Sequence, residues 1–263
     1  MKKLEGTEVI EIIHYSRGDR QVKEDQVIVE FPVTIYLNGE EFITLLCSPK
    51  NLDYLAVGFL ISEGFIQKKE DLKSLDYDEE KGQMHVELKQ MSALKQKLYG
   101  KRTVTTGCGK GTIFYHVLDS MGTKKIEVES KFSPKGILQR SKELNQLSGL
   151  FKETGGVHFC GLCTEEAVVI FHEDIGRHNA VDKIVGEAFM NDVSLEDKML
   201  ITSGRITSEM LIKAGKINIP VVISRSAPTK LSVELAKDLN ITLIGFARGE
   251  RLNIYHGEER ITL

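Results

Sequence analysis

From residue 157 to the C-terminus, short runs rich in Val and Ile alternate with segments of helical period. That alternation restricts the fold more than any other feature of the chain. Strands are expected at 157–163, 167–171, 199–202, 221–224 and 242–246, and helices at 179–190, 208–214 and 230–239. A strand that is apolar on both faces needs cover on both sides, which helices supply in an α/β layer. Largely parallel pairing is the expectation for this half.

The N-terminal half reads differently. Residues 7–47 are mostly strand-like, with Asn38-Gly39 as the favoured two-residue hairpin turn between 33–37 and 42–47. Ser48 followed by Pro49 reads as an N-cap and first helical position. Leu52, Leu55, Ala56, Phe59 and Leu60 then recur at helical spacing up to Gly64. Further strands are expected around 75 and 84–88. Ser133-Pro134 opens another helix, whose apolar positions run from Ile137 to Leu150 and which ends near Gly155-Gly156. The fold class expected is α/β, with a mixed α+β half over 1–105 and an α/β half over 106–263.

Composition narrows the function classes. The 263 residues carry a net charge of -3, so no global basic field points to nucleic acid. No window approaches the roughly 18 uninterrupted apolar residues of a membrane span. Residues 1–6 lack the apolar run of a signal peptide, so a cytoplasmic location is expected. Four cysteines (Cys47, Cys108, Cys160, Cys163) are too few for a disulfide framework, which leaves thiol chemistry, metal binding or burial.

Four places could carry chemistry. Cys108 lies in Thr105-Thr106-Gly107-Cys108-Gly109-Lys110-Gly111, after Lys101 and Arg102. Cationic neighbours favour the thiolate, the reactive form. Cys160-Gly161-Leu162-Cys163, with His158 ahead of it, could be a redox pair or half a zinc site. It reads better as small apolar filler in a buried strand. The run from Glu173 to Lys183 sits at a strand-to-helix junction, where ligand crevices form in α/β sheets and helix amides favour anions. His178 and Asp182, four apart, could hydrogen-bond on one helix face. Last, three strand ends place arginine beside hydroxyls or glycine: Arg205, Arg225, and the segment Phe246, Ala247, Arg248, Gly249, Glu250 and Arg251. Arginine beside backbone amides suits phosphate or pyrophosphate. No G-x-G-x-x-G or P-loop pattern occurs, which disfavours an ordinary nucleotide fold.

These residues also resemble a known family. Ser48-Pro49-Lys50, the run Gly58 to Gly64, Gly107-Cys108-Gly109, Gly155-Gly156-Val157-His158, the run Glu173 to Lys183 and Thr202-Ser203-Gly204-Arg205 are similar to the FdhD/NarQ family, formate dehydrogenase accessory sulfurtransferases. The resemblance runs from about residue 30 to the C-terminus. It implies a cytidine deaminase-like three-layer α/β/α C-terminal half and a homodimer. It also implies a sulfurtransferase that takes persulfide sulfur from a cysteine desulfurase. The acceptor would be the bis-molybdopterin guanine dinucleotide cofactor of molybdenum, or tungsten, that formate dehydrogenase needs.

On this resemblance Cys108 matches the persulfide-bearing cysteine and Phe246 to Arg251 match the cofactor-contacting segment. From their places at strand ends, Arg205, Arg225 and Arg248 are expected to neutralise the pyrophosphates, and GDP is expected to bind as a fragment of the cofactor. Better-known members carry a second loop cysteine where this chain has Gly111, so Cys108 is expected to work alone. That departure keeps an alternative open, a chaperone that inserts the cofactor without transferring sulfur. A zinc-stabilised structural protein through His158, Cys160 and Cys163 is a third reading. Zinc deaminase chemistry is not expected, because its H-x-E and P-C-x-x-C signature is absent.

Overall fold

The structure, a computed structural model, describes residues 5–89 and 125–262. Cys108, its loop and the expected boundary between 105 and 106 lie outside the described residues.

The described residues open with a hairpin of β1 (Thr7–Ser16) and β2 (Asp19–Ile28), which among them pair only with each other. Next comes a four-stranded sheet, ordered β4-β3-β6-β5, of β3 (Phe31–Leu37), β4 (Glu40–Cys47), β5 (Leu72–Asp78) and β6 (Gln83–Leu88). Its first turn is the expected Asn38-Gly39, with both residues at positive φ (52° and 84°), the twist that a tight hairpin requires. Helix α1 (Leu52–Ser62) covers this sheet, and together they enclose one core from Val33, Ile35, Leu55, Leu60, Met84 and Val86.

The second half is a six-stranded sheet ordered β12-β11-β10-β9-β7-β8. Its strands are β7 (His158–Cys163), β8 (Val168–Asp174), β9 (Met199–Thr202), β10 (Val221–Ser224), β11 (Thr242–Arg248) and β12 (Arg251–His256). Helices α4 (Arg177–Met190), α5 (Ser208–Lys216) and α6 (Lys230–Leu239) cover one face, meeting Leu162, Leu200, Val222 and Leu243. Helix α2 (Pro134–Leu147) covers the other, against Phe159, Met199, Ile201, Val221, Ile223 and Ile244. The alternate residues of β9, β10 and β11 thus feed two cores, as strands apolar on both faces demand. Among the described residues no helix is long and apolar enough to cross a membrane.

Three expectations need correction. The pairing is not largely parallel: β9, β10 and β11 run parallel, but β7, β8 and β12 join antiparallel. A run of Val and Ile specifies burial on two faces and says nothing of direction. The helix expected from 134 to about 155 breaks at Ser148, and a separate short helix α3 (Gly149–Thr154) follows, ending on Gly155 at φ 63°. Ser148 donates its hydroxyl to Glu173 instead of continuing the helix. Ser48 does not cap α1 either. That helix starts after Asn51 at φ 53°, and Ser48 is drawn into a buried ion pair described below. Ser133 does cap as expected, accepting from the Gly136 amide at 3.0 Å.

The two halves meet through α1 and α4. A Cβ on Gly58 would lie 1.8 Å from the Asp182 carbonyl oxygen, and one on Gly186 would lie 1.9 Å from that of Tyr54. Only glycine lets the helix backbones approach so closely.

Candidate functional site

The parallel strands β9, β10 and β11 point their carboxyl ends to one edge of the sheet. The antiparallel neighbours β7 and β12 bring their first residues, His158 and Arg251, to the same edge. Strand β8 ends there too, with Asp174 opposite His158, so α4 begins there at Arg177. Every strand-end residue expected from the sequence therefore lies along one edge.

The loops on this edge are laced together. The Ser203 amide donates to the Phe159 carbonyl (3.0 Å) and the Arg225 amide to the Thr202 carbonyl (3.0 Å). The Phe246 amide donates to the Ser226 carbonyl (2.9 Å). Ser224 donates its hydroxyl to the Gly204 carbonyl (2.6 Å) and accepts from the Ser226 amide (2.8 Å). Phe246 is held at φ 55°, a conformation costly for a residue with a Cβ, where β11 departs from regular register with β12. Gly249, at φ 63°, turns the chain back. Arg248 lies over the Phe246 ring, its guanidinium carbon 5.9 Å from the ring centroid.

The charge balance on this edge is one-sided. Among the described residues Arg177, Arg205, Arg248 and Arg251 make no ion pair, and Arg225 spends its hydrogen bonds on neutral Ser141, carbonyl and hydroxyl, at 3.2 Å each. Burial and then the Arg248 charge hold the Arg225 guanidinium below its ordinary range. The Arg177 Nε is buried with no partner among the described residues. Ser141 was not legible as part of the site: it reaches Arg225 from α2, and its hydroxyl also donates to the Ala247 carbonyl at 2.6 Å. No local pattern marks a serine whose role is set by a strand over a hundred residues away.

His158 lies within this edge. Its Nδ1 is 3.3 Å from the Ser203 hydroxyl oxygen, which also accepts from the Phe159 amide at 3.0 Å. Burial, then Arg177 and Arg205, keep the imidazole below its ordinary pKa, so it is neutral at pH 7.

The run from Glu173 to Lys183 splits in two. Arg177 faces the edge. Asp174, Asn179, Asp182 and Lys183 instead hold the halves together. Lys183 pairs with Asp174 at 2.7 Å, both side chains fully buried, and donates to the Ser48 hydroxyl (3.0 Å) and carbonyl (3.2 Å). Asp174 also accepts from Ser48, the Gly176 amide and Asn179. Asp182 accepts from Ser62 (2.6 Å) and Lys213 (2.6 Å). The possible His178–Asp182 hydrogen bond does not form: Asp182 is saturated from α1 and α5, and the neutral His178 places its Nε2 3.3 Å from a Glu209 carboxylate oxygen instead. Burial, then Lys213, Arg177 and His158, push the His178 imidazole down to about 3.

Three of the four cysteines are described, and all three are buried free thiols. Burial, then the Asp174 charge, pushes Cys47 up to about 12. Burial foremost pushes Cys163 up to about 12 and raises Cys160 further. Cys160 packs among the α4–α6 core and Cys163 in the core on the opposite sheet face. They cannot share an ion or close a bond within that strand. Among the described residues no group of three or more His, Cys, Asp or Glu is placed to hold a metal. The zinc reading through His158, Cys160 and Cys163 is overturned; core filler stands.

Comparison with known proteins agrees with this layout. The family model described as FdhD/NarQ matches residues 28–262. A protein of Bacillus subtilis named "Sulfur carrier protein FdhD" is 44% identical over 255 residues, covering 97% of both chains. A protein of the same name from Staphylococcus aureus is 44% identical over 250 residues, covering 95% of this chain and 94% of its own. Among solved structures, a protein from Desulfotalea psychrophila, provisionally described as a formate dehydrogenase accessory protein, superposes with a TM-score of 0.80. It is 27% identical, over 97% of this chain and 99% of that one.

Proposed function

Because the chain belongs to the FdhD/NarQ family, we propose that it is a sulfurtransferase whose carrier residue is Cys108. The donor is a cysteine desulfurase persulfide and the acceptor is the bis-molybdopterin guanine dinucleotide cofactor of formate dehydrogenase. The observation that carries this reading is the state of the other thiols. Cys47, Cys160 and Cys163 are buried with their pKa values raised, so none offers a thiolate at neutral pH. A protein that carries sulfur on cysteine must then use the remaining one, Cys108, set in sequence among Lys101, Arg102 and Lys110.

The chemistry takes two steps. The Cys108 thiolate attacks the terminal sulfur of the donor persulfide, a new S–S bond forms, and the donor cysteine leaves as thiolate. At the acceptor the Cys108 persulfide S–S bond breaks and its terminal sulfur becomes a metal ligand. Two electrons for that sulfide come from the metal centre, whose formal oxidation state rises by two, and Cys108 returns as thiolate. The guanidiniums of Arg205, Arg225, Arg248 and Arg251, none in an ion pair among the described residues, suit the substrate's pyrophosphates, and Phe246, Ala247, Gly249 and Glu250 shape the turn beside them. GDP is the corresponding fragment ligand. The partners proposed are the desulfurase, formate dehydrogenase and a second copy of the chain, in the cytoplasm.

Incubation with a cysteine desulfurase and cysteine, followed by intact-mass measurement, tests the carrier. An adduct of about 32 daltons, one sulfur, is expected on the wild type and absent from Cys108→Ala. Formate dehydrogenase maturation should fail with the same variant. Sulfur loading on Cys108→Ala would refute the assignment.

A further inference from the structure

His158 has no place in the transfer steps above, yet two of the unpaired guanidiniums, those of Arg177 and Arg205, act on its ring. Arg177 comes to it from α4, whose side chain packs over Gly204 so tightly that a Cβ there would lie 2.9 Å from the Arg177 Cβ. Arg205 comes from the loop after β9 and is exposed. Ser203 fixes Nδ1, and Nε2 has no partner among the described residues. At the start of α5 the Thr207 hydroxyl oxygen is buried without a partner among the described residues, and none of their side chains caps that helix.

The other titratable groups around it are committed elsewhere. His178, next along α4, is kept neutral by burial, then Lys213, Arg177 and His158, with its Nε2 3.3 Å from Glu209. Asp174, opposite on β8, is saturated by Lys183, Ser48, Gly176 and Asn179. Lys213 of α5 is taken by Asp182. What remains facing His158 is two uncompensated guanidiniums and one hydroxyl, an arrangement complementary to a tetrahedral oxyanion.

We propose that His158, Arg177, Ser203 and Arg205 form a proton-coupled oxyanion subsite, which receives one phosphate of the guanine dinucleotide while His158 takes up a proton. This rests on the substrate class proposed above. The coupling follows from charge alone. Without an anion the two guanidiniums oppose a third positive charge, and His158 stays neutral. A bound dianion reverses that local field, so the imidazolium becomes favourable and adds a charge-assisted hydrogen bond to the anion. Affinity is then highest below the free-state pKa of His158, falls as pH rises toward the bound-state pKa, and is level above it.

The probe is sulfate, a dianion that does not itself titrate near neutrality. Calorimetric titration of the full chain at pH 6.5, in two buffers of different ionisation enthalpy, should show net proton uptake on binding. Between pH 5.5 and 8 the affinity should fall with pH, by up to about tenfold per unit within the coupled window. His158→Gln should bind sulfate with no proton uptake and no pH dependence. Arg177→Gln should bind at least about tenfold more weakly. On the wild type, the His158 ring resonances should move toward their protonated positions as sulfate is added, a readout that needs no variant. GDP should displace the sulfate. Equal proton uptake in wild type and His158→Gln, unmoved His158 resonances, or no sulfate binding at millimolar concentration would overturn the subsite. Sulfate that stays bound beside saturating GDP would overturn its assignment to the dinucleotide. Persulfide loading of Cys108 is read separately. A chain that loads no sulfur but binds sulfate with proton uptake sinks the carrier reading and keeps the subsite, and the reverse result does the opposite.

Discussion

The junction between the halves and the open edge of the six-stranded sheet are built from overlapping stretches of chain and treat charge in opposite ways. At the junction, Asp174 meets Lys183, and Asp182 meets Lys213, with Ser48 and Ser62 filling remaining hydrogen-bond capacity. At the edge, Arg177, Arg205, Arg248 and Arg251 stand without a carboxylate partner among the described residues, and Arg225 bonds only to Ser141. A buried charge left alone costs several kcal/mol, so the junction pairs its charges completely. The guanidiniums of Arg205, Arg248 and Arg251 are exposed and cost little in water without a carboxylate, whereas Arg177 and Arg225 are only half-exposed. Pairing marks the charges that hold the fold, and its absence at the edge is the feature on which the proposed anion binding rests.

The sharpest way to break the junction is steric. Gly58→Ala places a Cβ 1.8 Å from the Asp182 carbonyl oxygen, with backbone on both sides and no flexible side chain to yield. Loss beyond about 4 kcal/mol, or failure to fold, is expected in urea denaturation. Gly149→Ala, where nothing lies within 4 Å, is the control and should be neutral or mildly stabilising. If Gly58→Ala folds with wild-type stability, the α1–α4 contact does not join the halves as described.

Next in size is the ion pair itself. Lys183→Met leaves the Asp174 carboxylate buried without its cation and should cost about 3–5 kcal/mol. Adding Asp174→Asn to that variant removes the orphaned charge and should recover part of the loss. The matching change at the edge, Arg205→Met, should alter stability by no more than about 0.5 kcal/mol. Equal losses at Lys183 and Arg205 would erase the distinction between the two regions.

This division explains what the sequence showed and what it hid. Residues 199–202, 221–224 and 230–239 match observed elements to the residue, because apolar runs bounded by Ser, Pro and Thr carry both period and punctuation. Strand β12 was hidden: Arg251 to His256 mixes polar and apolar residues at a sheet edge, where burial imposes no clean alternation. The arginines at strand ends were legible as a set, since topology gathers the carboxyl ends of parallel strands. Ser48 was misread because its sequence neighbours suit a helix cap, while the buried Asp174 that captures its hydroxyl lies 126 residues away. The Glu173 to Lys183 run looked like a single site because charge density in sequence cannot distinguish a paired carboxylate from a free guanidinium.

The smallest predicted effect on the fold is the largest clue to the edge's purpose. Arg248 is exposed, pairs with no carboxylate among the described residues and packs over Phe246, so Arg248→Ala should change unfolding free energy by about 0.5 kcal/mol at most. GDP binding should nonetheless weaken by roughly tenfold or more, since a charge-assisted contact to phosphate contributes about 1.5–3 kcal/mol. Arg248→Lys should fall between the two: it keeps the charge but loses the planar fork and the stacking on Phe246. Raising ionic strength should shrink the difference between wild type and Arg248→Ala, because the contact is exposed and screened. Unchanged GDP affinity in Arg248→Ala would move the phosphate contacts inward to Arg225, whose guanidinium Ser141 already orients. In that case Arg248 would serve only to steady the strained Phe246 turn, and the edge would have to be redrawn around Arg225 and the His158 subsite.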